Sequence, residues 1–115
     1  MTLEQFRAHC IKKPGFNEDF PFGPETLVFR VAEKIFALMD ADLFQSVNLK
    51  CDPERAIELH EQYAGIVPGY HMNKRHWNTV AADGSVPDRL LLELADHSYE
   101  LVLASLTKKV REGLG

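Results

Sequence analysis

The chain has almost no cysteine, no apolar run near membrane-spanning length and no surplus of positive charge, and each shortage narrows what it can be. Cys10 and Cys51 are the only thiols in 115 residues, and neither belongs to a CxxC pair. A disulfide framework or a thiolate metal centre is therefore not what organises the fold, and both residues read as reduced, small, buried hydrophobes. No apolar stretch approaches the ~20 residues that cross a bilayer, so no membrane association is expected. The segment from Met1 to Phe6 shows no basic region followed by an apolar one, so the chain is expected to carry no secretory signal and to stay in the cytoplasm. The seven glycines are scattered singly and none opens a helix in a GxGxxG or GxxxxGK pattern, which removes the usual phosphate-cradling loops. The net charge is −4 and the isoelectric point near 5.7, whereas proteins that grip polyanions usually carry a basic balance or a distinct basic face.

What is present describes one ordinary globular domain, with 45% hydrophobic and 26% charged residues. Thr2 and Gln5 spell a capping box, and Leu3, Phe6 and Cys10 recur on one face, so a helix opens the chain and stops at Pro14-Gly15. Phe16 to Glu25 mixes three phenylalanines with Pro21, Gly23 and Pro24. That composition excludes helix and predicts an ordered, aromatic-anchored loop. Leu27–Val31 and Lys34–Asp40 read as a hairpin, with Ala32-Glu33 poor chemistry for a tight turn, so a bulged or longer connection is expected. Ser46–Cys51 alternates, with Val47, Leu49 and Cys51 on one side and Ser46, Asn48 and Lys50 on the other.

Asp52-Pro53 starts a second helix with Ala56, Leu59, His60 and Tyr63 on its inner face. Ile66–Met72 and His76–Ala82 read as strands around a turn at Asn73-Lys74, with Pro68-Gly69 at an edge or bulge. Ser85 and Asp88 cap a long last helix whose apolar stripe is Leu91, Leu94, Ala95, Ser98, Leu101 and Val102. Residues 107–115 are expected as a frayed tail. The fold class is thus a two-layer α+β domain of order α-β(3)-α-β(2)-α, its five-stranded sheet mostly antiparallel because the strand connections are too short for crossovers.

Chemistry concentrates between Pro68 and Val80. Two of the five histidines, His71 and His76, stand here with the only tryptophan, Trp77, and with Lys74, Arg75, Asn73 and Asn78. Zinc needs three or four ligands converging at about 2.0–2.3 Å; no HExxH, CxxC or acidic cluster joins these histidines, and no metal or cofactor is expected. Cys51 or Ser46 with His71 lacks the strand–turn–helix context of an activated nucleophile, so no catalytic residue is assigned. No acid occurs between Glu61 and Asp83. A hairpin presenting Lys74 and Arg75, with amides beside them and Trp77 behind, is a set of donors that can brace a phosphate backbone and enter a groove. Lys50 on the wet face of its strand, and Lys108, Lys109 and Arg111 in the tail, extend the patch.

Phe20-Pro21-Phe22-Gly23-Pro24-Glu25, Ser46-Val47-Asn48-Leu49-Lys50-Cys51, Pro68-Gly69-Tyr70-His71-Met72-Asn73-Lys74, His76-Trp77-Asn78-Thr79-Val80, and Asp96 with Ser98-Tyr99 together resemble the MmcQ/YjbR family of small bacterial proteins. The resemblance runs nearly the length of the chain. It implies a CyaY-like, secretion-chaperone-like α+β fold and DNA binding through a "double wing". One wing would then be the hairpin at Asn73-Lys74-Arg75, with Lys50, His71, His76, Trp77 and Asn78 around it. The other would be the hairpin at Ala32-Glu33, flanked by Arg30 and Lys34. The reading is a non-enzymatic DNA-binding protein, monomeric or weakly dimeric. The alternative is a protein-interaction module whose apolar face comprises Phe16, Phe20, Phe22 and Phe44. A third is a small-molecule pocket lined by Tyr70, His71, His76 and Trp77.

Overall fold

The structure is a computed structural model that describes residues 1–69 and 72–114. Its elements run α1 (Leu3–Cys10), β1 (Phe16–Asp19), β2 (Thr26–Val31), β3 (Lys34–Asp40), β4 (Ser46–Lys50), α2 (Pro53–Gln62), β5 (Ile66–Pro68), β6 (Trp77–Ala81), α3 (Asp88–Ser105) and α4 (Lys108–Glu112). The six strands form one antiparallel sheet in the order β1-β2-β3-β4-β6-β5. No helix among the described residues is long and apolar enough to cross a membrane.

Helices lie on one face of this sheet, which makes the domain two-layered. Cross-strand partners Leu27↔Met39, Met39↔Val47 and Val47↔Val80 all belong to the main buried cluster, because side chains directly opposite across a ladder share a face. Against this face α3 lays Leu91, Leu94, Ala95, Tyr99 and Val102, and α1 adds Phe6 and Cys10. Phe6 stacks on Phe29 at 5.9 Å between ring centres, and Phe36 meets Tyr99 edge-on at 5.5 Å. Offset and edge-on geometries of this kind add to the burial of large apolar surfaces.

The strand count differs from expectation by one. Phe16–Asp19 is an edge strand and not a loop, alternating half-buried and exposed residues along β2 with Phe16 opposite Val31. The proline-rich segment that discouraged a strand begins only after it. The β2–β3 turn is two residues long, with Ala32 at φ +54°, the sign that primed hairpin turns require at their first position. The expected irregularity sits inside the ladder instead, as a register shift beside Phe29/Arg30 that leaves Phe36 without a partner.

At the N-terminus of α3 the expected cap is absent. Pro87 occupies that position, and the Ser85 hydroxyl is diverted to Asp83 Oδ1 at 2.6 Å. Asp88 instead pairs with the N-terminal ammonium at 3.5 Å. Residues 108–112, read from sequence as part of a frayed tail, form a short helix capped by Thr107, after which Leu114 packs against Gly15.

Candidate nucleic-acid interface

The ladder between β5 and β6 ends at Pro68↔Asn78, so the expected ribbon reaching Met72 and His76 is shorter than its sequence suggested. Pro68 sits on the outermost strand, where its missing N–H is harmless. From Asn73 onward the chain makes a self-contained turn. The Asn73 carbonyl accepts from the amides of His76 and Trp77 at 3.1 and 2.9 Å, and its side-chain oxygen accepts from the Arg75 amide at 3.0 Å. An asparagine that bonds its own backbone two residues on fixes such a turn locally. Asn73, Lys74 and Arg75 are exposed, but as a turn beside α2 and not as a ribbon tip; the two cations line a groove with Glu54, Ile57 and His60. His76 is half-buried and its carbonyl takes the Cys51 amide at 2.8 Å. Tyr70 and His71, assigned to the site from sequence, lie outside the described residues.

Asn78 is not available to read a base. It is 2% exposed, because it stands opposite Leu49 and two residues from Val80, both of which face the helices. Its Oδ1 lies 2.7 Å from His60 Nε2, and its Nδ2 has no partner among the described residues. The alternation of Trp77 and Thr79 against Asn78 and Val80 carried this parity in the sequence, where the amide's chemistry drew more weight than its place in the strand. Trp77 is opposite Lys50 on the helix-free face, both half-buried.

The second turn is built around Arg30. Its Nε donates to Asp19 Oδ1 at 3.0 Å and Nη1 to the Glu33 carbonyl at 2.7 Å, so Arg30 braces the hairpin and is not a free phosphate contact. Lys34 is exposed and its Nζ donates to Ser105 Oγ at 3.4 Å, which ties the turn to the end of α3. Lys108, Lys109 and Arg111 follow on α4 and are exposed, with Lys108 3.9 Å from Glu112.

Topology gathers these scattered cations. Lys34 opens β3, Lys50 closes β4 and Trp77 opens β6, and these strands are neighbours running alternately up and down. Lys34, Lys50, Lys74 and Arg75 therefore share one end of the sheet, where α3 also ends and α4 begins. Glu25, Asp40, Asp42, Asp83 and Asp88 cluster around the opposite end, at the finish of β3 and β6 and the start of α3. The charge is segregated along the strands inside a chain that is acidic overall, although Glu33, Asp52 and Glu54 interrupt the basic end.

The remaining motif residues hold the layers together. Ser98 Oγ accepts from the Lys50 amide at 2.9 Å and donates to the Phe36 carbonyl at 2.6 Å; Tyr99 donates to the Pro14 carbonyl at 2.5 Å. Asp96 Oδ1 receives Lys13 Nζ at 2.6 Å and lies 2.7 Å from His9 Nε2. Partial burial works to raise the Asp96 carboxyl, but its hydrogen bonds to Lys13 and His9 and their charges together hold it below the usual range. Burial pushes the thiols of Cys10 and Cys51 up to about 12 and about 11, so neither is an activated nucleophile. Of the four phenylalanines proposed for an apolar face, Phe44 is buried against Phe6 and Phe16 packs on Phe29. Only Phe20 and Phe22 are exposed, at 48% and 65%.

The family profile described as YjbR matches residues 11–101. Escherichia coli YjbR, itself described as uncharacterized, is 32% identical over 113 residues, covering 97% of this chain and 96% of its own. The likewise uncharacterized YbdF of Escherichia coli O157:H7 is 39% identical over 108 residues, covering 92% and 88%. A crystal structure of a Deinococcus radiodurans protein with a DUF419 domain superposes with a TM-score of 0.91 at 43% identity, covering 99% of this chain and 88% of that one. Profile, relatives and fold agree, and the chain belongs to the YjbR family.

Proposed function

We propose that this protein binds DNA without catalysis, through the basic end of its sheet. The observation that carries the reading is the convergence of Lys34, Lys50, Lys74, Arg75, Lys108, Lys109 and Arg111 there, from four separate stretches of a chain whose net charge is negative. Such segregation attracts a polyanion to one pole of the molecule while the acidic pole is held away. The two turns lie on either side of β4, and the strands that carry them nearest to it, β3 and β6, stand two strand spacings or about 10 Å apart, comparable to the ~12 Å width of the major groove. Lys74 and Arg75 contact phosphates on one side, Lys34 and the α4 cations on the other. Contacts of this kind position the protein and supply affinity with little sequence preference.

Exposed Phe20 and Phe22 favour a second reading, a protein-interaction module. Salt separates the two, because phosphate contacts weaken steeply as it rises and apolar contacts do not. The test is fluorescence anisotropy of a labelled duplex of arbitrary sequence at low and physiological salt, with wild type and Lys74→Glu/Arg75→Glu. Micromolar binding that falls with salt and is lost in the double variant is the expected result. No binding at low salt overturns the DNA reading.

A further inference from the structure

Each end of the sheet carries a surface that the other end complements. At the basic end the β2–β3 turn and the junction of α3 with α4 enclose a cleft of about 400 Å³, to which the turn gives Ala32, Glu33 and Lys34 and the junction Ser105, Leu106, Thr107 and Val110. Its walls are fixed. The Ala32 carbonyl accepts from Asn17 Nδ2 and the Glu33 carbonyl from Arg30 Nη1, both at 2.7 Å. Ser105 Oγ donates to the Val102 carbonyl at 2.6 Å, and Thr107 Oγ1 accepts from the Val110 amide at 3.3 Å. Leu106 is buried and Val110 is 41% exposed, so apolar surface meets solvent here. Lys34 in the lining and Lys108, Lys109 and Arg111 along α4 outnumber Glu33 and Glu112.

At the acidic end residues 20–25 stand out from the protein. A methyl group on Gly23 would meet nothing within 4 Å, and Phe20 and Phe22 on either side of Pro21 are exposed. The segment is nonetheless stiff. Pro21 and Pro24 lock φ, the Gly23 amide donates to the Phe20 carbonyl at 3.3 Å, and the Thr26 amide donates to the Gly23 carbonyl at 3.4 Å. A segment restrained in this way loses little conformational freedom when it docks. Arg7 and Arg30 engage Glu18 and Asp19, which leaves Glu25, Asp40 and Asp42 as the charge at this end. No lysine or arginine occurs in residues 14–29 or 35–49.

From this complementarity we infer that the protein associates head to tail: residues 20–25 of one copy dock at the basic cleft of a second, with Phe22 against Leu106 and Val110 and the acidic end facing Lys34 and the α4 cations. The chain's own cleft is out of reach. Phe22 lies beside Asp40 at the far end of the sheet, and β2 alone, six residues long, separates the two ends by about 17 Å. A buried phenyl ring supplies affinity at the centre of such a contact, and charge of opposite sign orients it. The interface is heterologous, so each copy keeps one open end and the assembly grows unless its rotation closes a ring. The contact uses the pole assigned to DNA without requiring that DNA bind there.

Sedimentation velocity of the full chain at rising concentration and low salt, without nucleic acid, reads the assembly directly. Wild type should gain mass with concentration and lose it as salt rises. Phe20→Ser/Phe22→Ser and Lys34→Glu/Val110→Asp change exposed side chains at opposite poles, where folding tolerates them, and each should weaken association about tenfold or more. An equimolar mixture of the two variants should recover a dimer that grows no further, because one keeps an intact cleft and the other an intact docking segment. That recovery also shows that both are folded. A wild type that stays monomeric, association unchanged by salt, full association of either variant alone, or a mixture that stays monomeric overturns the inference.

Discussion

Ser98 supplies Phe36 with the hydrogen bond that the sheet does not. The register shift leaves Phe36 unpaired with β2, and the β3–β4 ladder stops at Ala37↔Leu49. The Ser98 hydroxyl then bridges the gap, donating to the Phe36 carbonyl and accepting from the Lys50 amide. Ser98→Ala orphans two backbone groups in a position with no solvent access, at a cost of about 1–3 kcal/mol per stranded group. Urea unfolding should show a lower midpoint with an unchanged slope. A variant within 0.5 kcal/mol of wild type would remove the bridge from the account of stability.

His97 makes stability sensitive to mild acid. The Asp52 amide donates to its Nε2 at 3.1 Å, which requires that nitrogen to be unprotonated. Burial first, then the nearby charge of Arg55, lowers its pKa from 6.5, with Asp52 opposing. The unfolded chain therefore takes up the proton more readily than the folded one. The contribution is complete above 6.5 and is lost as pH falls through the lower folded value. Wild type should lose stability relative to His97→Gln between pH 7 and pH 5. Parallel curves would show that His97 does not couple to folding.

The thiols act at the other end of the scale. Both have raised pKa values, at about 12 for Cys10 and about 11 for Cys51, so above 9 the unfolded chain releases protons that the folded chain keeps. Stability is whole below 9 and declines as pH rises toward those values, by about 1.4 kcal/mol per unit for each thiol ionised only when unfolded. At pH 8 Ellman's reagent should leave both unmodified in the native protein and label both in urea. Rapid labelling of either native thiol contradicts its burial.

The sequence made α1, α2, α3 and most strands legible because each carries a local signal, whereas the short α4 was read as a frayed tail. The capping box at Thr2 and Gln5 and the Asp52-Pro53 start appear as read. Phe16–Asp19 was hidden because only Phe16 is apolar, and an edge strand can satisfy its pairing with polar outward residues. Ser85 misled for a local reason too, since its hydroxyl had a nearer acceptor in Asp83. At the candidate site, residue chemistry placed Lys74 and Arg75 on the surface correctly but gave Asn78 a role that its strand parity forbids. The gathering of Lys34, Lys50 and the α4 cations at one pole depends on strand order, which no local pattern encodes.

Gly15 and Leu114 are a coupled pair. Gly15 has φ +75°, and a methyl group there would meet Leu114 Cδ2 at 2.6 Å. Gly15→Ala should therefore destabilise twice, through about 1–2 kcal/mol of left-handed strain and through the displaced leucine. Adding Leu114→Ala removes the second cost but not the first. A double-mutant cycle should give a coupling above about 0.5 kcal/mol. Additivity would mean that the end of the chain does not rest on Gly15.

The number of cations that meet DNA is itself measurable. On duplex DNA the logarithm of affinity falls with the logarithm of salt concentration at about −0.9 per neutralised phosphate. If the whole basic pole makes contact, Lys74→Glu/Arg75→Glu and Lys34→Glu/Lys109→Glu should each flatten that slope by about 2, the loss of two phosphate contacts. The first pair lies on the turn beside α2 and the second on the start of β3 and on α4, so their effects should add. A slope altered by the first pair alone would confine contact to the turn beside α2. A slope altered by neither, with wild-type affinity retained, would show that the cations gather at this pole without meeting phosphate.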